Sequence, residues 1–355
     1  MRRLPIRTKL AVALAVPLLA LIVVTVLEVV KTSAEVDDIA EQTELARSAI
    51  GPSGIISALQ NERTWLAVEL IGQQGMVNVP VEGYEQTRAD TDEAIAAFRD
   101  DLRGRSDAVA EVFGPPVDGL DALAEVRADI DGSTAPRDTS NIEFASTTFD
   151  RYTELIEPFF GATTRISLAV DDPELRQGAE LADAVARQIE TISLLLSTTI
   201  SDATLTPGGI DEPGEVSQIA MLHSDFLHYA EALRNATGRY AQLAADHFPE
   251  DLTSSTTEQV ESALGTGDVD LPTLLGAVDA PTEENYFGYQ LALHDIINSR
   301  ADELGSAAEA RRLWFGALAA LALVAATTLT WAVSRSITRP LRSLTTQAKE
   351  MAERR

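Results

Sequence analysis

The sequence predicts an all-α protein: two transmembrane helices flanking an extracytoplasmic pair of four-helix bundles. Composition points there first. Ala, Leu, Asp and Glu are abundant, aromatics make up 5% of the chain, and β-branched residues show little alternation. Two apolar stretches follow, residues 10–30 and residues 313–333, each 21 residues long. The first is interrupted only by Thr25 and Glu28, and the second carries no charge. Roughly 20 such residues cross the hydrocarbon core as a helix. The third observation is the charge. Residues 31–312 hold 18 Lys/Arg against 52 Asp/Glu, a net of −34, whereas residues 1–9 and 335–355 carry +4 each. Basic flanks place both tips in the cytoplasm, and so acidic a middle argues against nucleic-acid binding.

Trp314 and Trp331 bracket the second span as indoles do at the two interfaces, while Arg311 and Arg312 snorkel from its outer end. Thr32-Ser33-Ala34 loosely resembles a signal-peptidase site, but the apolar run before it exceeds the 7–15 residues of a signal peptide. The expected order is therefore a cytoplasmic tip (1–9), a first span (10–30), an outer region (31–312, with halves of about 31–170 and 172–312), a second span (313–333) and a cytoplasmic segment (334–355). The protein is expected in the cell membrane, passing twice. With no cysteine, neither a disulfide framework nor a thiolate metal site is available.

Within the outer region the first span continues as a helix until Gly51-Pro52-Ser53-Gly54 interrupts it. Residues 55–72 form the next helix and residues 84–102 another. Gly114-Pro115-Pro116 reads as a breaker ahead of a helix over 117–130. Residues 131–139 are a loop, and Ser140 with Glu143 is a capping box for a helix to about 170. Asp172-Pro173-Glu174 opens a helix to about 204, with Asp as N-cap and Pro at the first position. A turn over 206–214 precedes one helix over 216–245. Residues 247–281 predict only short helices and loops, and Thr282 caps a last helix that runs on through the second span. Gln60-Asn61-Glu62-Arg63 aligns with Gln188-Ile189-Glu190-Thr191 at an offset of 128 residues, a trace of duplication between the halves.

The helix over 55–72 carries the pointed chemistry. Ile56, Leu59, Arg63, Leu66 and Leu70 recur at spacings of three, four, three and four, the seam of a packed amphipathic helix. A guanidinium stays protonated, so an arginine in that seam needs an anion, either a protein carboxylate or a small ligand. Glu62 is adjacent and faces elsewhere on the helix, which leaves it a poor partner. A planar oxyanion suits the bidentate guanidinium fork, although the acidic outer surface repels anions at long range.

Two resemblances fit these residues. Beyond the second span, Ser336-Ile337-Thr338-Arg339-Pro340 leads into a seam of Ile337, Leu341, Leu344, Ala348 and Met351. This looks like the first helix of a HAMP domain, the linker between a membrane span and cytoplasmic signalling modules. Leu59-Gln60-Asn61-Glu62-Arg63 resembles the LQxER signature of the nitrate- and nitrite-sensing (NIT) domain. That resemblance covers residues of about 50–300. It implies a helical outer domain in which arginines from different helices bind the anion, and an output module that is often a histidine kinase.

Arg63 carries over from the motif, with Gln60 beside it. A second motif arginine is expected in the other half, but the aligned residue is Thr191; Arg187, Arg234 and Arg239 are the further ligand candidates. The resemblance implies a homodimer, a small anion ligand and a cytoplasmic kinase partner, with Arg63 mattering for response and little for folding. No cofactor, metal site or catalytic residue is expected: His223 and His228 are five apart rather than four, and no GxSxG, HExxH or phosphate loop occurs. The rival expectation is a ligand-free helical protein whose outer bundles bind another protein. Arg63 without a carboxylate partner favours the sensor; Arg63 paired to an acid favours the rival.

Overall fold

The computed structural model describes residues 6–72, 82–132, 140–205, 213–248 and 282–353, and among these it contains helices and no strand. The chain divides into two compact units, residues 1–40 with 303–355, and residues 41–302. Its helices are α1 (Ile6–Ser48), α2 (Ser53–Gly72), α3 (Glu82–Leu102), α4 (Asp107–Gly119), α5 (Leu123–Gly132), α6 (Ser140–Ala169), α7 (Pro173–Leu205), α8 (Pro213–Arg234), α9 (Arg239–His247) and α10 (Gly288–Glu353). Of the expected turn over 206–214 and loop over 131–139, residues 213–214 and 131–132 are helical and the rest lie outside the described residues, as do nearly all of 247–281 and the side chains of the Ser140–Glu143 box and of the seam beyond residue 336.

In the unit of residues 1–40 and 303–355, large apolar side chains stand exposed. Leu19, Val24 and Leu27 do so on α1, and Leu313, Leu321 and Trp331 on α10. Among the described residues one helix, Asn285–Leu329, is long and apolar enough to cross a membrane. Lys31 and Arg311 both reach Glu35, at 3.8 and 3.6 Å.

The unit of residues 41–302 is built on α2, α6 and α7, which pack on one another; α3 lies on α2, α4 and α5 on α6, and α8 on α7. Ile56, Leu59, Arg63 and Leu66 of the expected seam are all buried, Arg63 among them with no exposed surface. The stop between α1 and α2 falls at Gly51-Pro52, where the Gly51 N–H bonds Ser48 O at 3.0 Å and the Ser53 N–H bonds Ile50 O at 3.0 Å.

Two expected boundaries move. Pro115 and Pro116 lie inside α4, and the break comes instead at the 3₁₀ turn Leu120–Ala122. A proline supplies no N–H, so Pro116 leaves the Val112 carbonyl without its helical donor. Arg165 of α6 donates to that carbonyl at 3.0 Å, and the helix continues. The single helix expected over 216–245 is two, because Gly238 takes φ 60° between α8 and α9. Thr237 Oγ1 donates to Gln177 Oε1 at 3.0 Å and Tyr240 OH to the Glu174 carbonyl at 3.0 Å, so α9 is turned onto α7.

The α7 cap is as the sequence predicts. Asp172 Oδ1 accepts from the Glu174 and Leu175 N–H groups at 3.1 and 3.0 Å, and Asp172 Oδ2 accepts from Arg300 Nη2 of α10 at 2.7 Å. Gln42 of α1 exchanges two hydrogen bonds with Asp171 at 3.2 and 2.8 Å, and Arg47 pairs with Asp302. The α6–α7 turn is thus held by both α1 and α10. Burial pushes the Asp172 carboxyl up, but hydrogen bonds from Arg300 and the two N–H groups outweigh it and hold the carboxyl below its usual range. Its stabilisation is therefore present above the ordinary aspartate value of about 3.9 and is lost as pH falls through the lowered folded value. Acid titration followed by circular dichroism is expected to show a stability loss below about pH 4 that is smaller in Asp172→Asn.

Candidate functional site

At the junction of α2, α6 and α7 polar side chains come together in an apolar interior. Arg63 (α2) and Glu190 (α7) form a bidentate pair, Nη1 to Oε1 at 2.7 Å and Nη2 to Oε2 at 2.9 Å. Their side chains are 0% and 8% exposed, so water screens neither. The outer N–H groups of the same guanidinium donate to Thr153 Oγ1 (α6) at 2.8 Å and Ser193 Oγ (α7) at 2.9 Å. Gln60, one turn before Arg63, donates its amide to Glu190 Oε2 at 2.8 Å. Among the described residues Arg63 Nε, Gln60 Oε1 and Gln188 Oε1 are buried polar atoms with no hydrogen-bond partner.

On the adjoining face of α2 lies a second network. Glu62, also fully buried, accepts from Arg127 Nε at 2.7 Å, Arg127 Nη2 at 2.8 Å and Tyr152 OH at 2.8 Å. Arg127 reaches on to Asp92 at 2.7 Å. Burial opposes the charge on Arg127, yet Glu62 and Asp92 raise its pKa, and burial with the Glu62 charge raises that of the Tyr152 phenol. Adjacent residues of one helix thus serve separate partners, Glu62 toward α5 and Arg63 toward α7.

The structure brings together two of the five expected ligand residues, Arg63 and Gln60, both on Glu190. The other three have different partners. Arg187 donates to Asp183 at 2.9 Å and lies over the Phe160 ring at 4.8 Å; burial works against its charge, but Asp183 raises its pKa. Arg234 is exposed and bonds its own helix at the Ala230 carbonyl at 3.3 Å. Arg239 pairs with Glu174 at 2.5 Å. Thr191, where a second motif arginine was expected, is buried and donates to the Arg187 carbonyl at 2.9 Å. Sequence reasoning missed Thr153, Ser193 and the role of Glu190, although the offset alignment had already set Glu190 opposite the motif.

The family model for nitrate and nitrite sensing, NIT, matches residues 54–266, more than half of the chain. The chain belongs to the NIT family. The match takes in α2 with the Leu59–Arg63 motif and runs through α7, so both members of the Arg63–Glu190 pair are NIT residues. Among solved structures, that of the NasR transcription antiterminator is similar, with a TM-score of 0.59 at 18% identity over 85% of this chain and 80% of that one. At that identity the likeness speaks for the fold. No curated protein matches the chain.

Proposed function

We propose that this chain is the sensing portion of a two-pass transmembrane receptor. It binds nitrate or nitrite outside the cell membrane and signals through a HAMP helix to a cytoplasmic output module such as a histidine kinase. The observation that carries the reading is Arg63. A guanidinium wholly withdrawn from water, within the motif of a NIT match, stands where α2, α6 and α7 meet. Arg63 is the anion anchor in this reading, with Gln60 beside it, and the protein is a sensor rather than an enzyme. In this reading the outer region, residues 31–312, is a pair of four-helix bundles.

The exposed apolar side chains of residues 19–30 and 313–331 support two membrane spans, since soluble surfaces rarely carry so continuous an apolar face. Helical backbone through residue 353 supports the HAMP helix, which would pair with its copy in a homodimer. A ligand acts through different affinities for two packings of the helices. A suitable route is α7, where the 18 steps from the N-cap Asp172 to Glu190 span about 27 Å between the Arg300 contact and Arg63.

The test is isothermal titration of the full chain in nanodiscs with sodium nitrate and sodium nitrite, beside an Arg63→Met/Glu190→Met double variant. Saturable heat is expected for the native chain, with a rise in melting temperature worth about 2.7 kcal/mol at 100 times Kd, and neither for the double variant. No heat and no stabilisation at millimolar anion overturns the nitrate assignment. One observation favours a second reading, a helical protein that binds a partner protein and no ligand: Arg63 already has Glu190 as its counter-ion.

A further inference from the structure

Resting on the reading of Arg63 as the anion anchor, the geometry of its partner says how such a site works. A carboxylate and a planar nitrogen oxyanion present the same edge to a guanidinium, two oxygens on a trigonal centre. Glu190 presents that edge to Arg63 with both contacts at hydrogen-bond length, and Gln60 adds a third donor to Oε2. Two cavities among the described residues of this unit lie elsewhere. One of about 120 Å³ is bordered by Arg47, Phe98, Arg105 and His294. The other, of about 10 Å³, is bordered by Pro52, Thr163 and Val185. Neither has Arg63 in its wall, and Glu190 already holds both forked N–H groups, so an anion that takes them must take the place of the Glu190 carboxylate.

We propose that Glu190 is an internal surrogate for the ligand: it fills the anion position on Arg63, and nitrate or nitrite binds by exchange with it, which sets the concentration at which the sensor responds.

The exchange conserves charge at the guanidinium, one anion for another. Of the pair, Glu190 is the member with exposed surface, 8% against 0%, so its carboxylate has the shorter way to water. Arg63 does not depend on Glu190 for its position. Thr153 and Ser193 hold its outer N–H groups, Thr153 Oγ1 is tied to the Phe149 carbonyl at 3.1 Å, and Ser193 Oγ lies 3.1 Å from Thr64 Oγ1. The anchor therefore stays while its occupant changes. Because Glu190 sits on α7 and Arg63 on α2, exchange releases a direct α2–α7 tie. A ligand that must compete with an internal group binds with an apparent Kd weakened by the fraction of molecules in which that group is displaced.

Titration of full-length Glu190→Gln and Glu190→Asp in nanodiscs with sodium nitrate and nitrite, at constant ionic strength with chloride as control, tests this. Gln keeps the volume of Glu without its charge; Asp keeps the charge but falls one methylene short, and serves if the Gln variant does not fold. Tightening of about tenfold or more relative to the native chain is expected in either variant. The Gln variant's melting temperature, lowered without anion, should recover on adding nitrate. Unchanged affinity in the variants while the native chain binds overturns the exchange and leaves the anion reading standing. Loss of binding in the variants alone also overturns it, by making Glu190 a part of the site. Binding by the variants but not by the native chain overturns it as well, since the native pair would then be closed to the anion, and no binding by any of the three removes the anion reading itself.

Discussion

Replacing Arg63 by Met is expected to cost about 3–5 kcal/mol, and adding Glu190→Met to recover most of that loss. The reasoning turns on which charge is left behind. In the single variant the Glu190 carboxylate loses both forked N–H donors and keeps only the Gln60 amide, in a place where its side chain is 8% exposed. An uncompensated carboxylate there carries the desolvation penalty without the attraction that offset it. In the double variant neither charge remains, and two flexible apolar chains take up similar volume. Denaturant titration of the four corners of this cycle in nanodiscs measures the coupling, expected at about 3 kcal/mol or more, at or above the upper end of the range for contacting residues. A single-variant loss under about 1 kcal/mol would mean that the pair is not held in this form. Burial in an ion pair thus gives Arg63 an expected part in folding that the sequence reading did not assign it, so a binding assay on the single variant alone would conflate folding with response.

What could be read from the sequence was what repeats locally. The three-four spacing through Arg63 placed that residue in the interior, because helical periodicity is a property of neighbours. The Asp172-Pro173-Glu174 start was legible for the same reason, since the cap and the N–H groups it serves lie within three residues. Glu190 as the partner of Arg63 was not legible. The two are 127 residues apart, and nothing local distinguishes one acid among the 52 of residues 31–312. The alignment at offset 128 came near it but set Glu190 against Glu62. The structure shows a likeness between those two of another kind: each is the buried acid of its helix, and each is matched by an arginine from a different one. Where local rules misplaced an end, a distant group had intervened. Arg165 rescued the carbonyl that Pro116 orphaned, and Gln177 and Glu174 turned the chain at Gly238.

On the proposed reading the Glu62 network separates stability from sensing, since it lies on the same helix but does not touch Arg63. Arg127→Ala is expected to cost about 3–5 kcal/mol. It leaves Glu62, with no exposed surface, holding only the Tyr152 hydroxyl at 2.8 Å and an Arg88 guanidinium 4.0 Å away. Tyr152→Phe removes one donor and leaves the Arg127 fork in place, so its cost is expected at about 1–3 kcal/mol. The Arg127 variant should also acquire a pH dependence. A buried carboxylate without its fork has a folded pKa above the glutamic acid reference of about 4.3, so the variant's stability falls as pH rises through that raised value and recovers toward acid. Anion affinity, measured on the folded fraction, should stay within about twofold of the native chain, because Arg63 keeps Thr153, Ser193 and Glu190. Denaturant titration at pH 5 and pH 8 checks the stability and its sign, and calorimetry with nitrate checks the affinity. A large loss of affinity in a folded Arg127→Ala protein would merge the two networks into one site and move the anchor from Arg63 alone to the whole of that polar layer.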